Sequence, residues 1–377
     1  MKLRKMCIVA EGYPTREDPY FPFVQQLASS LSNLGCEISI IAPQSLTKVI
    51  VGHTALKPRI SEDLEHERKV MVFRPYILTF SNTSNRILLE ISDFFWRRAI
   101  KWASKRIGTA DAYYCYFWHV GLKTARALLK VNTPIFVQAS ECDIGVFNFQ
   151  KKQKYLDKIT GVVCATGKNR KESLDNGLTD LSKTCVAVNG YRTDEFYSID
   201  KQTARNELGI PNDVFVIAFV GGFIKRKGMN QLNEAINRFD DVYSIFIGKG
   251  DIAPSGKNNL FAGVVPHDGI VKYLNCADVF VLPTESEGCC NAIIEALACG
   301  LPVISSNKTF NDEILDKSCS IRINEQSSNE IFDAIQSIKD NPELRVRLSD
   351  GALAKAKTLT IENRANIIKD FIETREI

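Results

Sequence analysis

Two carboxylates and two cations in the second half of the chain have the types and spacing for chemistry on a phosphorylated, hydroxyl-rich ligand. Glu287 and Glu295 stand eight positions apart, in a stretch typical of a loop followed by a helix. Carboxylates accept hydrogen bonds from hydroxyl groups, so the pair suits a sugar. Arg226 and Lys227 follow an apolar run and precede Gly228, a usual place for cations to meet a diphosphate. The plainer alternative is that these side chains are solvated charges.

The elements around the two glutamates predict how they are positioned. Residues 278–282 form a short apolar, β-branched run, as expected of a buried parallel strand. Asn291 is placed to cap a helix over 291–299, which Gly300 ends. The unpaired N–H groups at the start of such a helix attract anions. We therefore expect oxyanions to approach the amides of these residues: Gly288, Cys289, Cys290 and Asn291.

Several stretches resemble the retaining glycosyltransferases of family 4, the group 1 type. Glu287 and Glu295 match that family's E-x7-E spacing. Other segments resemble its interdomain segment, phosphate loop, Gly-x-Gly turn and neighbouring strand, in that order: 188–196, 220–228, 247–250 and 277–284. The resemblance is strong from about residue 189 onward and weak before it.

The resemblance implies a fold, a reaction and roles for these residues. The fold class is α/β, two Rossmann-like domains facing across a cleft (the GT-B fold). The implied enzyme moves a sugar from a nucleotide diphosphate sugar to an acceptor hydroxyl, with retention of configuration. In the family the first glutamate contacts the transferred sugar and the second holds the ribose, which assigns these roles to Glu287 and Glu295.

The basic loop has a matching implied role at the leaving group. Lys227 and Arg226 would stabilise the charge that develops on the departing diphosphate. Gly221 and Gly222 would let the backbone approach the phosphates. No metal or other cofactor is then required, and no histidine or cysteine spacing in the chain indicates a protein-built metal site.

Three residues of the N-terminal half are candidates for contacts with the sugar or the acceptor. His119 follows a predicted strand, and in relatives a histidine of this domain lies near the donor sugar; a lone histidine is more often a packing or surface residue. Glu141 and Asp143 follow the next predicted strand and could bind acceptor hydroxyls. Both acids are equally well explained as solvated loop residues.

Length and alternation of elements predict the domain organisation. A chain of 377 residues exceeds one ordinary core and suits two domains. We expect Rossmann-like domains over 1–190 and 191–359, and the resemblance implies that the first is the acceptor-side domain and the second the nucleotide-sugar-binding domain. In the resembled fold a terminal helix, here 360–377, crosses back to the N-terminal domain.

The first residues predict a βαβ unit, and two later stretches stand out. Residues 6–10 and 37–42 read as strands around a helix over 23–34. Residues 45–68 are mixed and polar, and we expect a solvated loop. Residues 86–106 combine aromatic and basic side chains at helical spacing, so this helix could lie on an anionic membrane surface. The sequence favours the plainer alternative, a helix packed on the sheet with its charges in water.

Composition and charge restrict the class of protein. No apolar run reaches the roughly 18 residues of a membrane span, and the eleven cysteines are scattered. We therefore expect reduced thiols and a cytoplasmic location, peripheral on the inner face of the membrane if the basic helix binds there. Residues 1–190 hold 27 basic and 17 acidic side chains, against 21 and 27 in the remainder, so the N-terminal half should favour an anionic partner. Nothing indicates nucleic-acid binding.

The expected function is sugar transfer to a glycan or lipid-linked acceptor in the synthesis of a surface polysaccharide or glycolipid. One alternative is a nucleotide-sugar epimerase of the same fold. Another is a non-catalytic scaffold subunit of a polysaccharide complex, although the joint presence of Glu287, Glu295 and Lys227 speaks against it.

Overall fold

The chain is divided into two compact units. Its computed structural model describes residues 2–15, 18, 20–63, 70–80, 85–145 and 153–375. Unit 1 contains Met1–Ala165, Asn169–Ala187 and Arg364–Ile377, and unit 2 contains Thr166–Lys168 and Val188–Asn363. Each unit buries its own hydrophobic core.

Unit 1 is built on a large, mainly parallel sheet. Its described strands are β1 Lys5–Val9, β2 Glu37–Ile41, β3 Gln44–Ser45, β4 Ile60–Asp63, β5 Val70–Phe73, β6 Tyr76–Ile77, β7 Ala112–Tyr116, β8 Ile135–Ala139, β9 Ile159–Cys164 and β10 Thr184–Val186. The main sheet has the order β10-β9-β8-β7-β1-β2-β5-β4, in which β4 alone among the described strands runs antiparallel to its neighbour. Strands β3 and β6 form a small separate pair.

Helices connect and cover these strands. They are α1 Pro22–Asn33, α2 Leu46–Ile50, α3 Arg86–Ile107, α4 Trp118–Ala127, α5 Gln153–Leu156 and α6 Gly167–Asp175. The longest of them, α3, packs one side into the unit 1 core through Trp96, Ala99, Ile100 and Ala103. This agrees with the packed-helix interpretation of the basic segment.

Unit 2 is built on a second parallel sheet. Its described strands are β11 Phe215–Val220, β12 Val242–Ile247, β13 Asn258–Gly263, β14 Val279–Leu282, β15 Val303–Ser306 and β16 Ser320–Ile323, in the order β13-β12-β11-β14-β15-β16. The helices are α7 Lys201–Leu208, α8 Met229–Ile236, α9 Ile270–Asn275, α10 Asn291–Ala298, α11 Ser328–Asp340 and α12 Pro342–Ala356. A last helix, α13 Ile361–Glu373, lies mostly in unit 1. Two α/β units with parallel sheets confirm the predicted fold class.

The prediction of a solvated loop over 45–68 is wrong for the part that the structure describes. Ser45 caps the short helix α2, accepting a hydrogen bond from Lys48 N, and β4 pairs with β5 from Ile60 to Asp63. Residues 64–68 lie outside the described residues. The error arose because β4 is an edge strand whose stability comes from its neighbour and not from its own polar sequence.

Two bulk expectations can be compared with the structure. All eleven cysteines are free thiols in the structure, and their reduced state in the cell stays a prediction. Among the described residues, no helix combines the length and the apolar composition that crossing a bilayer requires.

Candidate active site

In the sheet of unit 2, the direction in which successive strands are added reverses between β11 and β14. Strands β12 and β13 extend it on one side, and β15 and β16 extend it on the other. Ligands of open parallel sheets bind at the carboxyl ends of the strands beside such a switch point. The loops that leave β11 and β14, residues 221–228 and 283–290, lie there. They contain most of the residues that the sequence singled out.

Gly228 fixes how closely the two loops approach each other. Its φ is 75°, and a Cβ at this position would lie 2.1 Å from the Pro283 carbonyl oxygen. The turn of 3₁₀ helix at Lys225–Lys227 stands directly before it. The backbone N–H of Glu285 donates to the Arg226 carbonyl at 2.8 Å. Glycine at this point therefore allows the basic loop to lie against the loop that carries the first glutamate.

A second close approach orders the start of the basic loop. The N–H of Gly221 donates to the Ile247 carbonyl at 2.9 Å, and that of Phe223 to the Lys249 carbonyl at 2.9 Å. Gly222 lies between these two bonds and is half-buried. The glycine turn after β12 thus supports the predicted phosphate loop.

Glu287 is the centre of a compact polar cluster. Its Oε1 accepts hydrogen bonds from Lys227 Nζ and, at 2.8 Å, from Thr284 Oγ1. Arg226 Nη1 lies 3.5 Å from the same oxygen and also donates to the Ser286 carbonyl. Glu287 is only 8% exposed, so these contacts hold its carboxylate in one orientation. The structure brings together the three residues predicted as catalytic.

Lys227 keeps its positive charge in this cluster. Burial lowers the pKa of Lys227, but Cys290 and Glu287 oppose that effect, and the pKa lies above the ordinary lysine value. Burial raises the pKa of the Cys290 thiol to about 12, so Cys290 is uncharged at neutral pH. The Glu287 carboxylate is therefore the charge that stabilises the Lys227 ammonium.

The helix that follows these loops begins beside the cluster. The prediction that Asn291 caps α10 is wrong, because Cys290 is the N-cap and Asn291 is the first helical residue. The Asn291 side chain is engaged elsewhere, since its Oδ1 accepts a hydrogen bond from Asn189 Nδ2 at 2.8 Å. Gly288 and Cys289 precede the N-cap, so the predicted anion-binding amides do lie at a helix N-terminus.

Glu295 has partners that the sequence did not reveal. Its Oε1 lies 3.5 Å from His267 Nε2, and His267 Nδ1 lies 3.7 Å from Glu195 Oε2. The His267 ring also packs edge-on against Phe196, at 5.2 Å between ring centroids. The hydrogen bond to Glu295 raises the pKa of His267, and neighbouring carboxylates add to the effect. A chain of three side chains thus orients the second glutamate.

Comparison with known proteins finds similarity to glycosyltransferases. Residues 200–355 match the family model described as "Glycosyl transferases group 1". The chain is also 24% identical over 352 residues to "Putative teichuronic acid biosynthesis glycosyltransferase TuaC" of Bacillus subtilis, covering 88% of each chain. The chain is a glycosyltransferase, and its residues 200–355 are similar to the group 1 type.

Solved structures share the fold of the glycosyltransferase over nearly its whole length. Sucrose-phosphate synthase from Thermosynechococcus elongatus superposes with a TM-score of 0.77 at 18% identity, covering 97% of this chain and 98% of that chain. Anabaena HepE, crystallised with UDP and glucose, superposes with a TM-score of 0.72 at 14% identity, covering 99% and 100%. Both are neighbours in fold.

Unit 1 of the glycosyltransferase has its own switch point, between β1 and β7. His119 lies in the first turn of α4 after β7, and its Nε2 is 2.8 Å from Oε1 of Glu11, which follows β1. Phe117, the N-cap of α4, has a φ of 73° that is rare for a non-glycine residue, and its ring stacks on His119. Strain of this kind often accompanies functional sites. His119 therefore lies at the sheet edge where a ligand of unit 1 would bind.

Glu141 and Asp143 bond to nearby backbone. Glu141 is buried, and its two oxygens accept hydrogen bonds from Trp118 N at 2.6 Å and Ser140 N at 3.0 Å. It thereby satisfies the N-terminus of α4. Asp143 is exposed and accepts a hydrogen bond from Gly145 N at 2.8 Å. Contact of either acid with an acceptor stays a prediction.

Among the residues that the structure describes, no group of three or more histidine, cysteine, aspartate or glutamate side chains is arranged to hold a metal ion. Metal-free transfer stays a prediction.

Proposed function

We propose that this glycosyltransferase is a retaining enzyme that moves a hexose-type sugar from a nucleotide diphosphate sugar to an acceptor hydroxyl. The observation that carries the proposal is the cluster in which Lys227 and Arg226 surround Glu287 at the switch point of unit 2. It offers cations to a diphosphate and a carboxylate to sugar hydroxyls within one small volume. HepE, which has the same fold, was crystallised with UDP and glucose, and this supports a nucleotide-sugar donor.

The proposed step breaks the bond between the sugar C1 and the β-phosphate oxygen and forms a bond from C1 to the acceptor oxygen. The acceptor proton leaves with the departing diphosphate. Lys227, Arg226 and the N-terminus of α10 stabilise the negative charge that develops on the diphosphate. Glu287 contacts the transferred sugar. Glu295 binds the ribose, and its contact with His267 orients its carboxylate. With these charges supplied by the protein, no divalent metal is needed.

The acceptor is a glycan or a lipid-linked glycan, and the product is a surface polysaccharide or glycolipid. The name of the B. subtilis relative, which assigns it to teichuronic acid biosynthesis, supports this proposal. On the acceptor side, His119 and its partner Glu11 are placed to contact the incoming hydroxyl or the sugar.

We further propose that the enzyme lies on the anionic inner face of a membrane through α3. Six exposed residues of this helix form a stripe at spacings of three and four: Ile87, Ile91, Phe94, Arg98, Lys101 and Lys105. Arg86, Leu89, Glu90 and Arg106 are exposed beside this stripe. The first half of the stripe is apolar and the second half is cationic. Such a stripe suits insertion of apolar groups beside anionic headgroups.

Donor binding is tested by thermal shift with UDP- and GDP-sugars, each with and without EDTA. The wild type should be stabilised by one of these donors in the presence of EDTA, and Lys227→Ala should lose the shift. The matched control is Lys225→Ala, because Lys225 is the exposed neighbour in the same turn. Loss of the shift on adding EDTA would contradict metal-free binding, and an equal shift in Lys227→Ala would contradict the assigned site.

The stereochemistry is tested separately on the product. Proton NMR should show that the new linkage has the anomeric configuration of the donor. An inverted linkage would overturn the retaining mechanism. Release of free sugar or an epimerised donor without any acceptor would favour the epimerase alternative.

A further inference from the structure

A cavity of about 710 Å³ in unit 1 lies beside the switch point of its sheet. Its walls come from the loops after β1, β2 and β5 and from α3, as the lining residues Glu11, Ala42, Arg74 and Trp96 indicate. The volume is in the range of pockets that enclose small ligands. Of the residues given a role above, only Glu11 lines this cavity, at its edge nearest His119.

The lining is richer in cations than in acids. Its lysine and arginine residues are Lys48, Lys57, Arg74 and Lys123, and its acids are Glu11 and Asp18. Both acids already have a basic partner, since Asp18 pairs with Lys57 at 2.5 Å and Glu11 with His119 at 2.8 Å. In the part of the chain that the structure describes, neither Arg74 nor Lys48 forms an ion pair with an acidic side chain. The cavity therefore has an excess of positive charge.

Arg74 is a buried cation in the lining of this cavity. It follows β5 and is 4% exposed. Its backbone N–H donates to the Arg59 carbonyl at 2.7 Å, and its carbonyl accepts from Gln44 Nε2 at 3.2 Å. Its guanidinium Nη1 donates to Ser61 Oγ at 2.5 Å, which uses one of its five N–H groups. Burial lowers the pKa of Arg74, because a cation that has lost its water is costly, and the nearby Tyr13 and Asp63 offset this effect only in part.

Apolar groups form the rest of the wall. The buried Trp96 ring lies under Lys123, with Nζ 4.6 Å from its centroid, and Phe21, Ile77 and Phe80 also line the cavity. A sugar has ring carbons that suit such a wall and hydroxyls that suit the polar groups near it. Free inorganic anions would leave this apolar wall unused.

We infer that the unit 1 cavity binds the acceptor glycan through an anionic group on one of its sugars, a carboxylate or a phosphate, held by Arg74 and Lys48. Naming the bound glycan as the acceptor rests on the proposed function. The cavity and its charges are independent of the donor site. The enzyme would then extend a chain that already carries a uronic acid or a phosphorylated sugar, and it would discriminate against the neutral analogue.

The test compares anionic sugars with a matched neutral sugar. Purified enzyme is titrated with glucuronic acid, glucose 6-phosphate, glucose and inorganic phosphate at low salt, and binding is followed by saturation-transfer NMR and by the tryptophan fluorescence to which Trp96 contributes. We expect one of the two anionic sugars to bind and glucose to bind at least tenfold more weakly; which anionic sugar binds identifies the group. Equal binding of glucose, or binding of inorganic phosphate as tight as that of the sugar, would overturn the inference.

Substitutions locate the site. Lys48→Gln should weaken the anionic sugar about fivefold, because one charge at contact distance in water contributes about 1 kcal/mol. Arg74→Lys, which keeps the charge but loses the fork of donors, should weaken it about tenfold. Lys171→Gln, on the exposed face of α6, is the matched control and should bind as the wild type does. If neither cavity variant changes the affinity, the site lies elsewhere and the inference fails.

UDP affinity is measured on the same proteins. It should be unchanged in the cavity variants, because they alter unit 1 alone. Absence of UDP binding with intact binding of the anionic sugar would count against the proposed function and leave the cavity assignment standing. The reverse result would remove the cavity assignment alone.

Discussion

The negative charge of Glu287 is used in two contacts. It holds Lys227 in place through Oε1, and in the proposed complex it contacts the transferred sugar. Removal of the charge should therefore affect both the position of the cation and the sugar contact. Thr284 Oγ1 bonds to the same oxygen, so the carboxylate is oriented before any ligand arrives.

Glu287→Gln should lower kcat by about two to three orders of magnitude, the size of effect seen when one preorganised electrostatic group is removed. Steady-state kinetics with the identified donor provides the measurement. Glu285→Gln is the matched control, because Glu285 lies two positions away and bonds to Gln326 at 2.8 Å, away from Lys227. Turnover of Glu287→Gln within threefold of the wild type would sink the assignment.

The pairing of His267 with Glu295 makes part of the stability of unit 2 depend on pH. The folded-state pKa of His267 is raised above its unfolded value of about 6.5. The protonated form is therefore the one that folding favours. Its stabilising contribution is fully present below pH 6.5 and is lost as the pH rises through the raised folded pKa.

Thermal unfolding of wild type and His267→Gln across pH 5 to 9 should show this dependence. The wild type should exceed the variant in Tm most at the acidic end, and the difference should shrink as the pH rises. A difference that is constant with pH, or that grows towards alkaline pH, would show that the ion pair contributes nothing.

At the scale of elements, the approach of two loops depends on a glycine. Gly228 combines a positive φ with a contact that leaves no room for a methyl group. Gly209, the C-cap of α7, has a similar φ of 66°, but nothing lies within 4 Å of the position of its Cβ. Substitution of Gly209 would therefore introduce backbone strain alone, and substitution of Gly228 would add a steric clash.

Gly209→Ala should cost about 1 kcal/mol of unfolding free energy, from the left-handed conformation alone. Gly228→Ala should cost at least twice as much and should also weaken donor binding, because the loops must separate. Urea denaturation followed by circular dichroism measures both variants. An equal loss of unfolding free energy in the two variants would mean that the loop at Pro283 can move to make room for a methyl group.

The sequence predicted the elements that have strong local signals. The strand at 279–282 and the helix at 291–298 lie where the patterns placed them, because apolar periodicity and flanking breakers agree there. Strands β13 and β16 were missed, since they lie at the edges of the sheet and are only partly buried. Their conformation comes from the neighbouring strand, which local sequence does not show.

Within the site, the sequence found Lys227 and Glu287 but missed His267. The first two were found because a glycine turn and the E-x7-E spacing mark them locally. His267 is 28 positions from Glu295 and 72 from Glu195, so no short spacing connects the three. Only the tertiary fold brings the turn at His267–Gly269, the helix α10 and the segment that holds Glu195 together.

At the scale of the whole molecule, the uneven distribution of charge predicts that the enzyme binds an anionic membrane surface. The N-terminal half carries the excess of basic residues, and α3 presents three of them in line with three exposed apolar residues. Each basic residue near an anionic bilayer contributes about 1 kcal/mol. Three therefore correspond to about a hundredfold in partition coefficient.

Flotation with vesicles of phosphatidylglycerol and phosphatidylcholine tests this surface. The wild type should float with the anionic vesicles, and the triple variant Arg98→Glu, Lys101→Glu, Lys105→Glu should lose at least a hundredfold in binding while retaining donor affinity. A triple charge reversal on unit 2, at Lys225, Lys257 and Lys272, is the control. Unaltered flotation of the α3 variant would end the membrane proposal.

The position of α13 in unit 1 has a consequence for how the protein is made. Leu3 N donates to Glu373 Oε1 at 2.8 Å, and Phe371 packs against Phe136, so residues near opposite ends of the sequence share one fold. On the ribosome, unit 2 emerges before the segment that unit 1 still needs. The N-terminal unit must therefore wait, partly assembled, until translation has passed residue 373. A nascent chain stalled before that point should expose the core surface around Phe136 to chaperones, although every strand of that unit has already been synthesised.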